Sequence, residues 1–234
     1  MIEKDQPTNL DKYKLTIAVS SLEDGTMTKR SLPEDIDQVI ENRQNFIAKA
    51  QGDLARTALV YVTFDQDDYC RYHEITSSDM NLETLHPADA LVTKNKEIGI
   101  FLPLADCCGV VLYDSAQEIL MVSHIGRQSV EQYGSVGSVQ HLVNEYGTKP
   151  QDIYAWLSPT AGEGNYPIHK RGGRGLRDLI SNDLLYAGVQ YSNIEMSEVD
   201  TTVDPNYYSH SEYLKGNQPG IDGRFAIYAS MKKY

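Results

Sequence analysis

The chain is short of cysteine, phenylalanine, tryptophan and positive charge: 3 Cys, 4 Phe, 1 Trp, and 21 Lys plus Arg against 33 Asp plus Glu in 234 residues. Three cysteines, two of them adjacent at Cys107–Cys108 in an apolar context, make no disulfide framework. A reducing, cytoplasmic compartment is the expectation. A formal net charge of −12 and a pI near 4.9 argue against nonspecific binding to nucleic acid or anionic lipid, which needs clustered positive charge. No apolar run approaches the roughly 18 residues of a membrane span. The longest candidate, Ile98 to Tyr113, is broken by Pro103, Asp106 and Gly109. Met1 to Pro7 lacks the basic start and apolar centre of a signal peptide. Repeats and low-complexity segments are absent. What remains is an ordinary globular composition that excludes a disordered tail, a collagen-like repeat and a coiled coil. At this length a chain buries roughly 70% of its unfolded surface and needs no covalent staples.

The pattern predicts a loose polar segment over 1–12, then one α/β or α+β domain over 13–234 without a linker. Lys14 to Val19 reads as a first strand. Ser31 to Gly52 reads as a helix, with Ile36, Val39, Ile40 and Ile47 on one stripe and Ser31 with Glu34 as a capping box. Apolar or β-branched runs predict strands at Thr57–Phe64, Ile98–Leu104, Gly109–Tyr113, Ile119–His124, Ile153–Leu157, Ile194–Val199 and Phe225–Ala229. Further helices are predicted over Gln128–Tyr146 and Leu176–Ala187. The 16 tyrosines suggest many half-exposed rings, as in a wet pocket or an interface.

The chemistry-bearing residues are few. Cys107 and His124 each lie near the end of a buried strand, next to a break. The plain reading makes Cys107 and Cys108 small buried hydrophobes. His73, taken alone, is a surface histidine. Together, His73, Cys107 and His124 offer two imidazoles and one thiolate, a three-ligand zinc set with an open corner for water. A zinc ion there lowers the pKa of its water toward neutrality. Without metal, Cys107 and His124 are a thiolate–imidazole pair for acyl transfer. His86 rivals His73 as the first ligand. On extended backbone Cys108 and Asp106 point away from Cys107, so Asp106 is expected to hold a loop rather than a metal. Arg43, inside the first helix, is either an anion ligand or part of a solvated face. Arg171 to Gly175 looks like a phosphate loop but lacks the lysine–serine of one.

In order along the chain, several motifs resemble the laccase-domain family, also called the multicopper polyphenol oxidoreductase or peptidoglycan-editing-factor family. They are Val39-Ile40-Glu41-Asn42-Arg43, His73, Ala88 to Thr93, Ala105-Asp106-Cys107, His124-Ile125-Gly126, Ser158 to Gly162 with Tyr166, Tyr208-Ser209-His210 and Gly223-Arg224. Many members are described as zinc-dependent purine nucleoside phosphorylases. The resemblance implies a pair of central β-sheets flanked by helices, similar to the cysteine-hydrolase-like catalytic domain of cytotoxic necrotizing factor. It implies zinc on His73, Cys107 and His124, and phosphorolysis of adenosine, inosine or guanosine, sometimes with adenosine deamination. A nucleoside and phosphate are then the partners, with Arg43 and Arg127 as candidate phosphate ligands. The older label of copper-dependent phenol oxidation is disfavoured, because six histidines are too few for type 1 plus trinuclear copper.

The chain also departs from the family pattern. Arg127-Gln128-Ser129 stands where the family has Trp-Arg-Gly, Asp200-Thr201 replaces a late Cys-Thr, and Ser211-Glu212 replaces a double arginine. Glu74, next to His73, is a candidate general base for hydrolysis or deamination. Two other readings stand beside the zinc enzyme. One is a Cys107–His124 hydrolase or amidase acting on a peptidoglycan precursor; the other is a noncatalytic member that keeps the fold.

Overall fold

The computed structural model describes residues 1–2, 5–64, 67–76, 87–218 and 220–232. Two sheets carry the architecture. The first joins β1 (Leu15–Val19), β2 (Thr57–Leu59), β5 (Gly99–Leu104) and β10 (Phe225–Met231) in the order β1-β10-β5-β2. The second joins β3 (Tyr72–Glu74), β4 (Ala90–Thr93), β6 (Cys108–Asp114), β7 (Ile119–Ile125), β8 (Ile153–Leu157) and β9 (Ile194–Met196) in the order β3-β4-β7-β6-β8-β9. Both mix parallel and antiparallel pairs. The helices are α1 (Leu10–Tyr13), α2 (Ile36–Lys49), α3 (Arg127–Glu131), α4 (Gly134–Tyr146), α5 (Leu176–Tyr186) and α6 (His210–Leu214).

Side-chain alternation sorts the strands into layers. On β6, Val111 and Tyr113 enter the core between the sheets, with Leu102, Val122, Trp156 and Ile227. Val110 and Leu112 enter a second core, against Val139 and Leu142 of α4 and Leu179 and Ile180 of α5. A third core packs Phe46 and Ile47 of α2 on Phe101 and Tyr228, on the outer side of the smaller sheet. The order of layers is therefore helix, sheet, sheet, helix. No helix among the described residues is long and apolar enough to cross a membrane.

Several sequence expectations change at their edges. α2 starts at Ile36, not Ser31, because Asp35 is the residue whose carboxylate accepts the Gln38 N–H and caps the helix. The strand expected over Thr57–Phe64 ends at Leu59. Beyond it the chain crosses toward the other sheet, where Tyr61 bridges Pro87. The helix expected over Gln128–Tyr146 is two helices, broken where Tyr133 takes a left-handed φ of 60°. Within the N-terminal segment expected to be loose, the Tyr207 hydroxyl donates to Asp5 at 2.6 Å and the Gln6 carboxamide accepts from the Val19 N–H.

The sheets approach closely where β6 starts. A Cβ on Gly109 would lie 2.5 Å from Ile227 Cδ1 and 2.9 Å from Leu104 Cδ1, both in the inter-sheet core. Gly109→Val is expected to destabilise the protein by about 1–3 kcal/mol, as overpacked cores do. Urea unfolding followed by the fluorescence of Trp156 measures it.

Candidate functional site

β5 belongs to one sheet and β6 to the other, so Ala105-Asp106-Cys107 is a crossover between them. Asp106 makes the turn with a left-handed φ of 69°. Its buried carboxylate accepts from the Thr201 hydroxyl at 3.1 Å and from the Ser211 N–H, in the first turn of α6, at 2.7 Å. Its carbonyl accepts from Thr160 Oγ1 and the Ala161 N–H. Asp106 thus holds loops, and the two side chains that follow the turn diverge. Cys107 packs on the inter-sheet core, whereas Cys108 enters the helix-side core beside Ser158.

His124 reaches the same place from β7. Cys108 pairs with Ile125 and Gly109 with His124, so the end of β7 lies against the start of β6. Gly126 follows, at the start of α3. A Cβ there would stand 2.8 Å from Cys107 Sγ, 3.1 Å from His124 Cε1 and 3.6 Å from its Nε2. The thiol and the imidazole therefore flank one point, and only glycine leaves that point open.

Burial pushes the Cys107 thiol up to about 12, helped by the Asp106 carboxylate and opposed by the guanidinium groups of Arg224 and Arg127. Burial alone pulls His124 down to about 4. The pair rests as neutral thiol beside neutral imidazole, and among the described residues no hydrogen-bond partner reaches the buried His124 Nδ1. Tyr166 belongs to the same group: burial raises its phenol to about 12, and Cys107 and Arg127 act on it electrostatically. Arg127 is exposed at the first position of α3. Arg224 is bound to the Asp222 carboxylate at 2.6 Å, and His210 Nδ1 sits 3.0 Å from the same carboxylate.

The remaining sequence candidates lie further off. His73 aligns with Leu91 on β4, and Leu91 with Val122 on β7, both inter-sheet core residues. His73 therefore shares the inter-sheet face with His124, two strands across and two residues along, roughly 12 Å between Cα atoms. Glu74 takes the opposite face and accepts from Tyr146 Oη at 3.0 Å, turned away from the Cys107–His124 pair. Arg43 lies on α2, outside the smaller sheet, and donates twice to the Met27 carbonyl, at 2.9 and 2.8 Å. His86 lies outside the described residues. Arg224, Asp222 and Phe64, whose ring centroid is 6.1 Å from that of His124, escaped the sequence reading as site residues. For Arg224 the only signal was its place in the Gly223-Arg224 motif.

The donor chemistry suits a borderline-soft divalent cation: a thiol, and a neutral imidazole with an orphaned buried nitrogen. Among the described residues no three His, Cys, Asp or Glu side chains close around one point. Two donors are brought together, and His73 stands apart on the same wall.

The profile of the family described as multi-copper polyphenol oxidoreductase laccase matches residues 25–174. The chain belongs to this family. It is 24% identical over 226 residues to a Bacillus subtilis protein named purine nucleoside phosphorylase YlmD, covering 83% of this chain and 78% of that one. A Bacteroides thetaiotaomicron protein named purine nucleoside phosphorylase is 21% identical over 214 residues, covering 80% and 77%. Among solved structures, the hypothetical protein YfiH of Bacillus licheniformis superposes with a TM-score of 0.79 at 19% identity, over 95% of this chain and 94% of that one. YlmD of Geobacillus stearothermophilus gives 0.72 at 20% identity, over 84% and 81%. Both share the two-sheet fold of this family member.

His124 yields a pH test on the metal-free chain. Its folded pKa of about 4 lies below the unfolded value near 6.5, so the unfolded chain binds the extra proton between them. Stability is expected to fall as pH drops from about 6.5 to about 4, and His124→Gln is expected to flatten that part of the profile. Urea titrations at closely spaced pH check it.

Proposed function

We propose that this family member cleaves purine nucleosides with phosphate, at a zinc site built on Cys107 and His124, for which His73 on the same wall would be the third ligand to recruit. The observation that carries the reading is the thiol and the neutral imidazole flanking one point, with Arg127 and Arg224 close enough to act on the thiol. The names carried by the Bacillus subtilis and Bacteroides thetaiotaomicron relatives support it.

A cation bound there supplies a positive charge that draws the thiol to thiolate and polarises the group facing it. The rest of the chemistry falls to the chain. Arg127 and Arg224 bind phosphate through charge-assisted hydrogen bonds. Asp222 fixes the Arg224 guanidinium, which limits its rotation before phosphate arrives. In the reaction a phosphate oxygen bonds to the ribose C1′ as the C1′–N9 bond breaks. The electron pair of that bond leaves with the purine, which takes up a proton.

The alternatives have less support. A cysteine hydrolase needs a thiolate–imidazolium pair, and the burial of Cys107 and His124 favours the neutral partners. Deamination with Glu74 as base needs that carboxylate at the site, and it faces the helices. Copper-dependent phenol oxidation needs more histidines than the six present.

Metal analysis of protein purified without added metal is expected to give about one zinc per chain, lost in Cys107→Ser. Release of purine base from inosine, adenosine or guanosine is expected to require phosphate and to stop in the same variant. Arg127→Gln is expected to raise the KM for phosphate about tenfold or more, as losing a hydrogen bond to a charged group does. Base release at equal rate without phosphate, or none with zinc bound, would overturn the reading.

A further inference from the structure

Beside His124, the site has an aromatic wall. Phe64 is 52% exposed. Its ring centroid lies 6.1 Å from that of the buried His124 at an interplanar angle of 80°, and 6.5 Å from that of Tyr69. Single exposed apolar side chains on a protein surface need no explanation. This one is different, because one edge rests on the imidazole that flanks Cys107 while much of the ring stays open to solvent.

Asp67 and Tyr69, a few residues further along, are anchored. The Tyr69 N–H donates to the Gln132 side chain at 3.1 Å, and the Gln132 carboxamide donates in return to the Asp67 carbonyl at 2.6 Å. Tyr69 Oη lies 3.4 Å from the Phe64 carbonyl. Gln132 closes α3, the helix whose first residue is Arg127. The aromatic wall and one of the guanidinium groups are therefore tied to the two ends of one short helix. A ligand bridging them needs a flat apolar face at one side and an anion at the other.

We propose that Phe64 is the platform on which the purine base stacks, so that it sets the preference of the site for flat aromatic bases. The inference rests on the phosphorolysis reading above and adds to it the residue that holds the base. Tyr69 packs against the ring with its own tilted by 39°. An exposed aromatic face binds any purine through its π surface, with little choice among adenine, guanine and hypoxanthine. Discrimination against a nucleoside with a nonplanar base follows from the same contact.

The test uses the zinc-loaded full chain and three forms: native, Phe64→Ala and Phe64→Trp. Because Phe64 is exposed, both variants are expected to keep the native melting temperature. Phe64→Ala is expected to raise the KM for inosine and adenosine about tenfold or more, with the KM for phosphate and kcat close to native. Phe64→Trp is expected to restore a native KM. Its added indole emission, read against the fixed background of buried Trp156, is expected to be quenched by saturating inosine. An unchanged nucleoside KM in Phe64→Ala, or unquenched emission in Phe64→Trp at saturating inosine, overturns the platform while leaving the phosphorolysis reading intact. Native protein that neither binds nor cleaves any nucleoside overturns both.

Discussion

The architecture at the site depends on one carboxylate. Asp106 sits where the chain passes from the smaller sheet to the larger, with a left-handed backbone that a side chain seldom adopts. The conformation persists because four hydrogen bonds converge on this residue, two on its carboxylate and two on its carbonyl. They tie together the loop after β8, the loop at Thr201 and the first turn of α6. With the turn held from three sides, the next residue can only present its thiol to the inter-sheet side. Such a buried carboxylate is stable because its oxygens are satisfied by donors rather than left facing apolar groups.

A tension in the electrostatics follows. The protein as a whole carries a net charge of −12, yet the groups that act on Cys107 include two guanidinium groups. Desolvation outweighs them: it keeps the thiol protonated and the imidazole uncharged. A site so arranged gains less from a proton than a solvated thiol–imidazole pair would. An anion approaching this negative molecule would depend on the nearby Arg127 rather than on the long-range field, because Arg224 is already paired with Asp222.

The sequence was legible where hydrophobicity was continuous. Ile153–Leu157 is a strand with the predicted ends, and the apolar runs around Leu102, Val111 and Val122 are β5, β6 and β7. Buried on both faces, these strands read as short continuous apolar runs set between breaks such as Asp106 and Gly126. Tyr72–Glu74 was invisible because three residues on a sheet edge carry no pattern. The start of α2 was misplaced because two capping residues competed and Asp35 won. At the site, the approach of Cys107 to His124 was suggested by motif order, not by spacing; the register of β6 on β7 is its physical cause. The opposed faces of Cys107 and Cys108 followed from strand alternation alone. Arg224 and Phe64 come from distant parts of the chain and meet the site only through tertiary packing, which no local pattern encodes. The placement of Glu74 followed the same alternation that separates neighbours on a strand, a rule that sets it on the opposite face from His73.

The crossover between sheets has a mechanical consequence. The thiol belongs to the short link joining two layers that share one continuous apolar core. Neither layer can slide on the other without dragging that link, so the thiol sits on a part of the molecule held by both layers. Little ordering entropy is left to lose when a ligand arrives, and the geometry found by the ligand is the geometry already set by folding.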